Sequence, residues 1–538
     1  MKRIYIFLLL FPFLLNGCTD FLEPDQVNLV YNEVFWKNQN DAERALNGVY
    51  ALYRGVMVDG NWYERGDATT GFFNRGWNGG SSDALYKPGD FSSASSTQRS
   101  WGNLEGLSDW SDFYKVIAHA NLVIKKIEGM SDDLFQEGKK QQFLGEAYFM
   151  RGLVYFNILR IWGNAPYISD AIESSTQVIN DDLTPVLIGR TKDTDLAANI
   201  LEDIEKAIQM LDYQRPGTAD WGIRASRASA EALSGHANLW MHFLATRDNL
   251  GNPGQYLTKA ITSLESLKNK GGYILESYEG ADALTRLYKG QSSEAIFELN
   301  ISSEQNESYR IDHGGVVRLT CKVVSLDGDA TKDRSSSVNF VPRSQKELIY
   351  PDYDFDQRTG DRRANLFFDV WYSHYNEPFS DVSSTSTDRN LVTWMKKYSM
   401  MTIDASRAWN EYSAYFAEAN IPVFRYTDAI LLLAEAYAKS GQPGKAVDIV
   451  NTIRERAGLT PYSGDNLLNE VLQQRISELI GEGQIYFDMV RNNYFPNPQV
   501  MDQARYQQQG YYWPVSGNIL VSNKMVSQTP YWNGKTSW

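Results

Sequence analysis

The chain has 538 residues, of which 43% are hydrophobic, 22% charged and 13% aromatic, a globular composition that excludes a disordered polymer and a multi-span membrane protein. With 52 basic and 66 acidic residues the formal net charge is -14, and no dense Lys/Arg run offsets it, so nucleic acid is not an expected partner. Cys18 and Cys321 are the 2 cysteines, the 5 histidines are scattered, and neither Cys-x-x-Cys nor His-Glu-x-x-His occurs, so no metal or cofactor is expected.

The first element is an address. Lys2 and Arg3 precede an apolar stretch from Ile4 to Leu15. At about 1.5 Å of rise per residue this stretch is too short for a hydrocarbon core of about 30 Å, so residues 1–17 read as a signal peptide. Leu14-Leu15-Asn16-Gly17-Cys18 resembles a bacterial lipobox, which makes Cys18 the expected lipidation site and the only membrane attachment. Residues 18–40 then form a lipidated tether and N-terminal segment, with Asp20, Glu23, Pro24 and Asp25 at its start.

Helical periodicity follows over 41–54, 111–128, 139–162, 193–211, 225–246 and 255–268. In 139–162 the residues Phe143, Ala147, Met150, Val154, Ile158 and Ile161 fall on one expected face, and Gly163 and Pro166 end the helix. A second helical region covers 426–440, 444–457 and 467–481. Its first two members are joined by Gly441-Gln442-Pro443-Gly444, with Ala434, Ala438 and Ala446 small enough for close approach, as in a tetratricopeptide-type hairpin. The period is lost over 59–110, rich in Gly, Ser, Asn and Trp, and over 290–425, where strand-like runs such as 294–299 and 315–320 alternate with turns. Long irregular segments in a helical scaffold commonly carry function.

Catalytic and ion-binding motifs fail one by one. There is no Gly-x-Ser-x-Gly elbow, Walker A loop or dinucleotide fingerprint. Asp352, Asp354 and Asp356 open like a calcium loop, but Gln357 stands where Gly is needed and Arg363 where a bidentate Glu belongs.

Several blocks resemble the SusD/RagB-like outer-membrane lipoproteins of Bacteroidetes. Besides the lipobox they are Gly145–Phe156 with Trp162–Pro166, Arg227–Leu233, Phe424–Tyr437 with Asn451–Gly458, and Glu478, Glu482-Gly483-Gln484, Phe487-Asp488 and Arg491, then Trp513-Pro514-Val515 and Gln528–Tyr531. Ile485, Gln474 and Thr529 depart from the family pattern and affect individual ion pairs more than the fold. The charged members Glu146, Arg151, Glu435, Arg454, Glu482, Asp488 and Arg491 read as pairs that lock helices together.

The resemblance implies a mainly α fold: a tetratricopeptide-like α-superhelical scaffold with large irregular insertions containing short strands. It divides into a scaffold over 41–289 with a ligand-face insertion at 59–110, an irregular insertion over 290–425, and C-terminal helical hairpins and tail over 426–538. It also implies a non-catalytic, cell-surface, lipid-anchored protein of the outer membrane that binds oligosaccharide or polysaccharide for a TonB-dependent SusC-like transporter. The rival readings are peptide uptake of the RagB kind and a surface glycoside hydrolase.

A sugar-binding face needs flat rings for C–H surfaces and short polar groups for hydroxyls. In 59–110 the aromatic residues Trp62, Tyr63, Phe72, Phe73, Trp77, Trp101 and Trp110 alternate with Arg65, Asp67, Asn74, Arg75 and Asn78. Trp62, Arg65, Asp67, Trp77, Asn78 and Trp101 are the expected contacts there, joined by Tyr309, Trp371 and Tyr372 from the second insertion. For each ring the competing role is core packing.

Overall fold

The computed structural model describes residues 35–58, 65–75, 104–173, 177, 179–180, 185–302, 339–368, 372–374, 377–378, 392–393, 395–403, 406 and 415–536. The expected signal peptide at 1–17, Cys18 and the strand-like run at 315–320 lie outside these residues.

Ten helices carry the architecture: α1 (Gln39–Val58), α2 (Ser111–Gly129), α3 (Lys139–Trp162), α4 (Asp193–Met210), α5 (Arg227–Arg247), α6 (Gly254–Lys270), α7 (Tyr426–Lys439), α8 (Pro443–Arg456), α9 (Leu467–Leu479) and α10 (Ile485–Asn492). From α1 to α8 each packs on the next, which is how amphipathic helices joined in sequence bury their apolar stripes in a solenoid. The pair expected at 426–457 is the helix-turn-helix α7–α8, with Gly441 in the left-handed region at φ +75° and Pro443 opening α8. Among the described residues no helix is long and apolar enough to cross a membrane.

The helix α3 departs from the expected single buried face. Every residue from Phe143 to Trp162 is buried, because α2 covers one side and α4 the other while α1 also packs on it. Gly145 makes this possible on the α4 side: a Cβ there would come within 2.8 Å of Leu211 and 2.9 Å of Met210. Two buried charges of α3 are paired. Arg151 donates to both carboxylate oxygens of Asp203 at 2.7 and 2.6 Å, and Glu146 meets Arg224 at 2.8 Å and the Tyr50 hydroxyl at 2.7 Å.

The strands that concern the insertions and their root include β1 (Asn74–Arg75), β2 (Ala295–Leu299), β3 (Asn339–Pro342), β4 (Tyr372–His374), β5 (Glu377–Pro378), β6 (Val392–Thr393) and β7 (Ile421–Arg425). The run expected at 294–299 is β2, which pairs antiparallel with β7 and places every residue of both strands in the core. This ribbon feeds directly into α7, so it fixes where the second insertion leaves and rejoins the helices.

The end of β7 enters a buried ion cluster. Arg425 donates Nε–H to Glu482 at 2.8 Å and Nη2–H to the Glu478 carbonyl at 2.8 Å, and lies 3.3 Å from Glu294. Lys397 meets Glu482 at 2.7 Å, Arg456 bridges Glu294 and Glu478 at 2.6 and 3.1 Å, and Arg363 bridges Asp361 and Glu478 at 2.6 and 3.1 Å. Four acids thus face four bases, all buried but Arg456, which is half-buried. Burial alone pushes the Glu478 carboxyl up, but the charges of Arg456, Arg363 and Arg425 outweigh it and hold the group well below the usual range.

Arg425→Met removes the cation shared by three buried carboxylates and is expected to destabilise the fold by about 3–5 kcal/mol, read as a lowered urea midpoint. Because Glu478 and Glu482 are depressed in the folded state, their contribution is present above the unfolded carboxylate pKa and lost below it. The loss of midpoint caused by Arg425→Met should therefore hold steady from neutral pH to about pH 5 and shrink below about pH 4; a loss unchanged at acid pH would refute the assignment.

Candidate functional site: a face joined from two insertions

The two irregular segments singled out in the sequence are hydrogen-bonded to one another. In an antiparallel sheet ordered β1-β3-β6-β4-β5, Asn74 pairs with Phe340 and Arg75 with Asn339, which joins the first insertion to the second. Val341 then pairs with Thr393 and Pro342 with Val392, Val392 with Tyr372, and Tyr372 with Pro378. The strands are short, and Pro342 and Pro378 each lack a donor, which limits how far the pairing runs. Tyr372, an expected ligand contact, has its backbone in this sheet. Trp77 follows β1 by two positions in sequence and Trp371 immediately precedes β4. Trp62, Trp77, Asn78, Trp101, Tyr309 and Trp371 lie outside the described residues.

Arg65 and Asp67, both expected at the ligand face, are instead structural posts. Asp67 is fully buried and accepts N–H bonds from Gly481 at 2.7 Å, Gly483 at 3.0 Å and Ile485 at 3.2 Å. It thus ties the first insertion to the turn between α9 and α10. Gly481 and Gly483 have φ values of +85° and +74°, a conformation that brings successive amides round to one acceptor. Burial pushes the Asp67 carboxyl up to about 7, against the lowering pull of those amides. Arg65 donates to the Leu107 carbonyl at 2.8 Å and lies over the rings of Phe113 and Trp162 at 5.1 and 5.4 Å. Neither side chain reaches a surface where a polymer could touch it.

Three aromatics of the same segment also go to the core. Phe72 and Phe73 are fully buried, and Trp110 packs edge-on to Trp162 with ring centroids 5.7 Å apart. The Asp352–Asp356 stretch forms a hairpin: Asp354 accepts the N–H groups of Asp356 and Gln357, and Asp352 pairs with Arg454 at 2.9 Å. Among the described residues no group of acidic, His or Cys side chains is arranged to hold a metal ion.

A helical solenoid carrying two insertions knitted into one sheet is the architecture of a known class. Residues 276–532 match the SusD family model, and residues 80–234 match a model described as starch-binding associating with outer membrane. A SusD-like protein of Formosa agariphila is 24% identical over 547 residues, spanning 96% of each chain. The starch-binding protein SusD of Bacteroides thetaiotaomicron is 22% identical over 459 residues, 77% of this chain and 76% of that one. Among solved structures, a SusD homologue from Bacteroides thetaiotaomicron superposes with a TM-score of 0.73 at 25% identity, covering 92% of this chain and 98% of that chain. A laminarin-binding SusD-like protein shares the fold, with a TM-score of 0.66 at 20% identity over 92% and 99% of the two chains. The chain belongs to the SusD/RagB-like family.

Asp67→Ala would leave three buried amides without their acceptor and is expected to cost about 3 kcal/mol of stability. Thermal unfolding checks this, and a melting temperature equal to that of the wild type would show that Asp67 is not the post described.

Proposed function

We propose that this protein captures oligosaccharide or polysaccharide at the bacterial cell surface and delivers it to a TonB-dependent SusC-like outer-membrane transporter, without chemical turnover. Cys18 is the lipid anchor in this reading, and the polymer lies across rings contributed by Trp62, Trp77, Trp101, Tyr309, Trp371 and Tyr372, with Asn78 among them. The observation that carries the proposal is the β1-β3-β6-β4-β5 sheet, which binds the two aromatic-rich insertions into one structure at the backbone level. Starch and laminarin, named for two relatives, are glycans that present repeated flat C–H faces.

Stacking sites of this kind bind weakly. A Kd of 1 mM is about -4.1 kcal/mol and one of 1 μM about -8.2 kcal/mol. Repeats along one polymer, and tethering beside a transporter, raise the effective concentration enough that tight monovalent binding is not required.

The test is affinity electrophoresis of the chain from residue 19 onward through gels containing starch, laminarin or another polysaccharide, beside a peptide-binding assay. Retardation by at least one glycan is expected, without release of reducing sugar on prolonged incubation. Replacing Trp77, Trp101 and Trp371 together by Ala should weaken retention at least about tenfold, roughly 1.4 kcal/mol, with the melting temperature unchanged. Peptide binding without glycan binding would transfer the protein to peptide uptake, and sugar release abolished by one Asp or Glu substitution would make it a hydrolase.

A further inference from the structure

One buried cation stands apart from the balanced clusters. Arg160, on α3, is 6% exposed, yet among the described residues no carboxylate lies within ion-pair distance of it. Its guanidinium is held between the rings of Phe156 and Phe487, each 4.5 Å away, and its two terminal nitrogens donate to neutral amides. Nη1 reaches Gln484 Oε1 and Nη2 reaches Asn157 Oδ1, both at 2.7 Å. Nε–H has no acceptor among the described residues.

A cavity of about 30 Å³ adjoins this group, lined by Arg160, Asn157, Tyr53, Phe113, Gln484 and the backbone stretch 421–423, among others. Tyr53, fully buried, supplies a second donor. Its hydroxyl accepts from Asn157 Nδ2 at 3.4 Å, and among the described residues it donates to nothing. The orientation of the two amides is set by their other bonds: Asn157 turns its oxygen to Arg160, and Gln484 spends its Nε2–H on the Val423 carbonyl at 3.2 Å. What remains for the cavity is therefore donor character beside a guanidinium with no direct ion pair: the carboxylates that act on it from further off, Asp488 and Asp428, are already bridged by Arg475, and Asp488 also by Arg491.

We propose that this cavity holds one small monovalent anion of the halide class, chloride in physiological media, with Arg160 Nε–H and the Tyr53 hydroxyl as its donors. The size suits such an ion. A single water needs about 10–15 Å³ by the same measure, so the cavity has room for one or two waters or one halide, and a divalent sulfate would bring a second negative charge with no partner. Water would satisfy the hydrogen bonds but leave a buried charge with no counter-ion in contact, the costly arrangement that an anion removes. Glu482 also borders the cavity, but Arg425, Lys397 and the Tyr288 hydroxyl already occupy its oxygens. Burial pulls the Arg160 guanidinium down only to about 10, so it stays charged at neutral pH. The ion would tie α1, α3, β7 and the turn before α10 at a single point.

The test compares thermal unfolding of the chain from residue 19 onward in sodium chloride, bromide, gluconate and sulfate at equal ionic strength. A saturable rise of about 2–4 °C is expected with chloride and bromide and none with gluconate or sulfate. Tyr53→Phe should raise the apparent halide Kd at least about threefold, and Arg160→Gln should abolish the halide dependence. As Arg160→Gln removes a packed side chain, the deciding measurement uses wild-type crystals grown in bromide. An anomalous peak beside Arg160 Nε and Tyr53 Oη supports the site, whereas a water there with no anomalous signal, or equal stabilisation by all four salts, overturns it.

Discussion

The charge cluster around Arg425 is the constraint from which the rest of the molecule takes its position. It gathers Glu294 at the edge of β2, Asp361 and Arg363 from within the second insertion, Lys397 from a later part of it, Arg456 from α8, and Glu478 and Glu482 from the end of α9. Apolar packing tolerates sliding, because one methylene against another is much like the next. A bidentate guanidinium does not, since a shifted partner leaves a buried charge exposed to low dielectric. The cluster therefore acts as a register for segments that are distant in sequence, and the β2–β7 ribbon and the α9–α10 turn are placed by it.

What could be read from the sequence follows the range of the interactions involved. The α7–α8 hairpin was legible because its signals are local: Ala434, Ala438 and Ala446 at helical spacing, a Gly-Gln-Pro-Gly turn and the stripe of Val450 and Ile453. The end of α3 at Gly163 was legible for the same reason. Its burial on every side was not, since the period in its own residues says nothing of how many neighbours surround it. Arg65 and Asp67 were misplaced for a related cause. A charged residue in a Gly- and Trp-rich tract looks the same whether it faces solvent or a partner, and the amide that Asp67 accepts from Gly481 comes from 414 residues further along. The composition of 59–110 marks a break in the helical period. It does not sort rings such as Phe72, Phe73 and Trp110, which pack inward, from rings available to a ligand.

The glycan-capture reading and the scaffold thus have different physical foundations. The helices owe their arrangement to burial and ion pairing, and the Asp67 post extends that rigidity to the root of the first insertion. The two insertions are joined to it through a few strand pairings and through that post. Weak, repeated contacts with a polymer ask for rings held at roughly fixed spacing on a firm base, and not for a deep pocket.

The brevity of β1 has one more implication. Among the described residues only Asn74 and Arg75 of the first insertion enter the ladder, so the two insertions meet through two residue pairs. A seam of two pairs imposes little register, so sequence change in the first insertion is not bound to a long run of matched partners in the second.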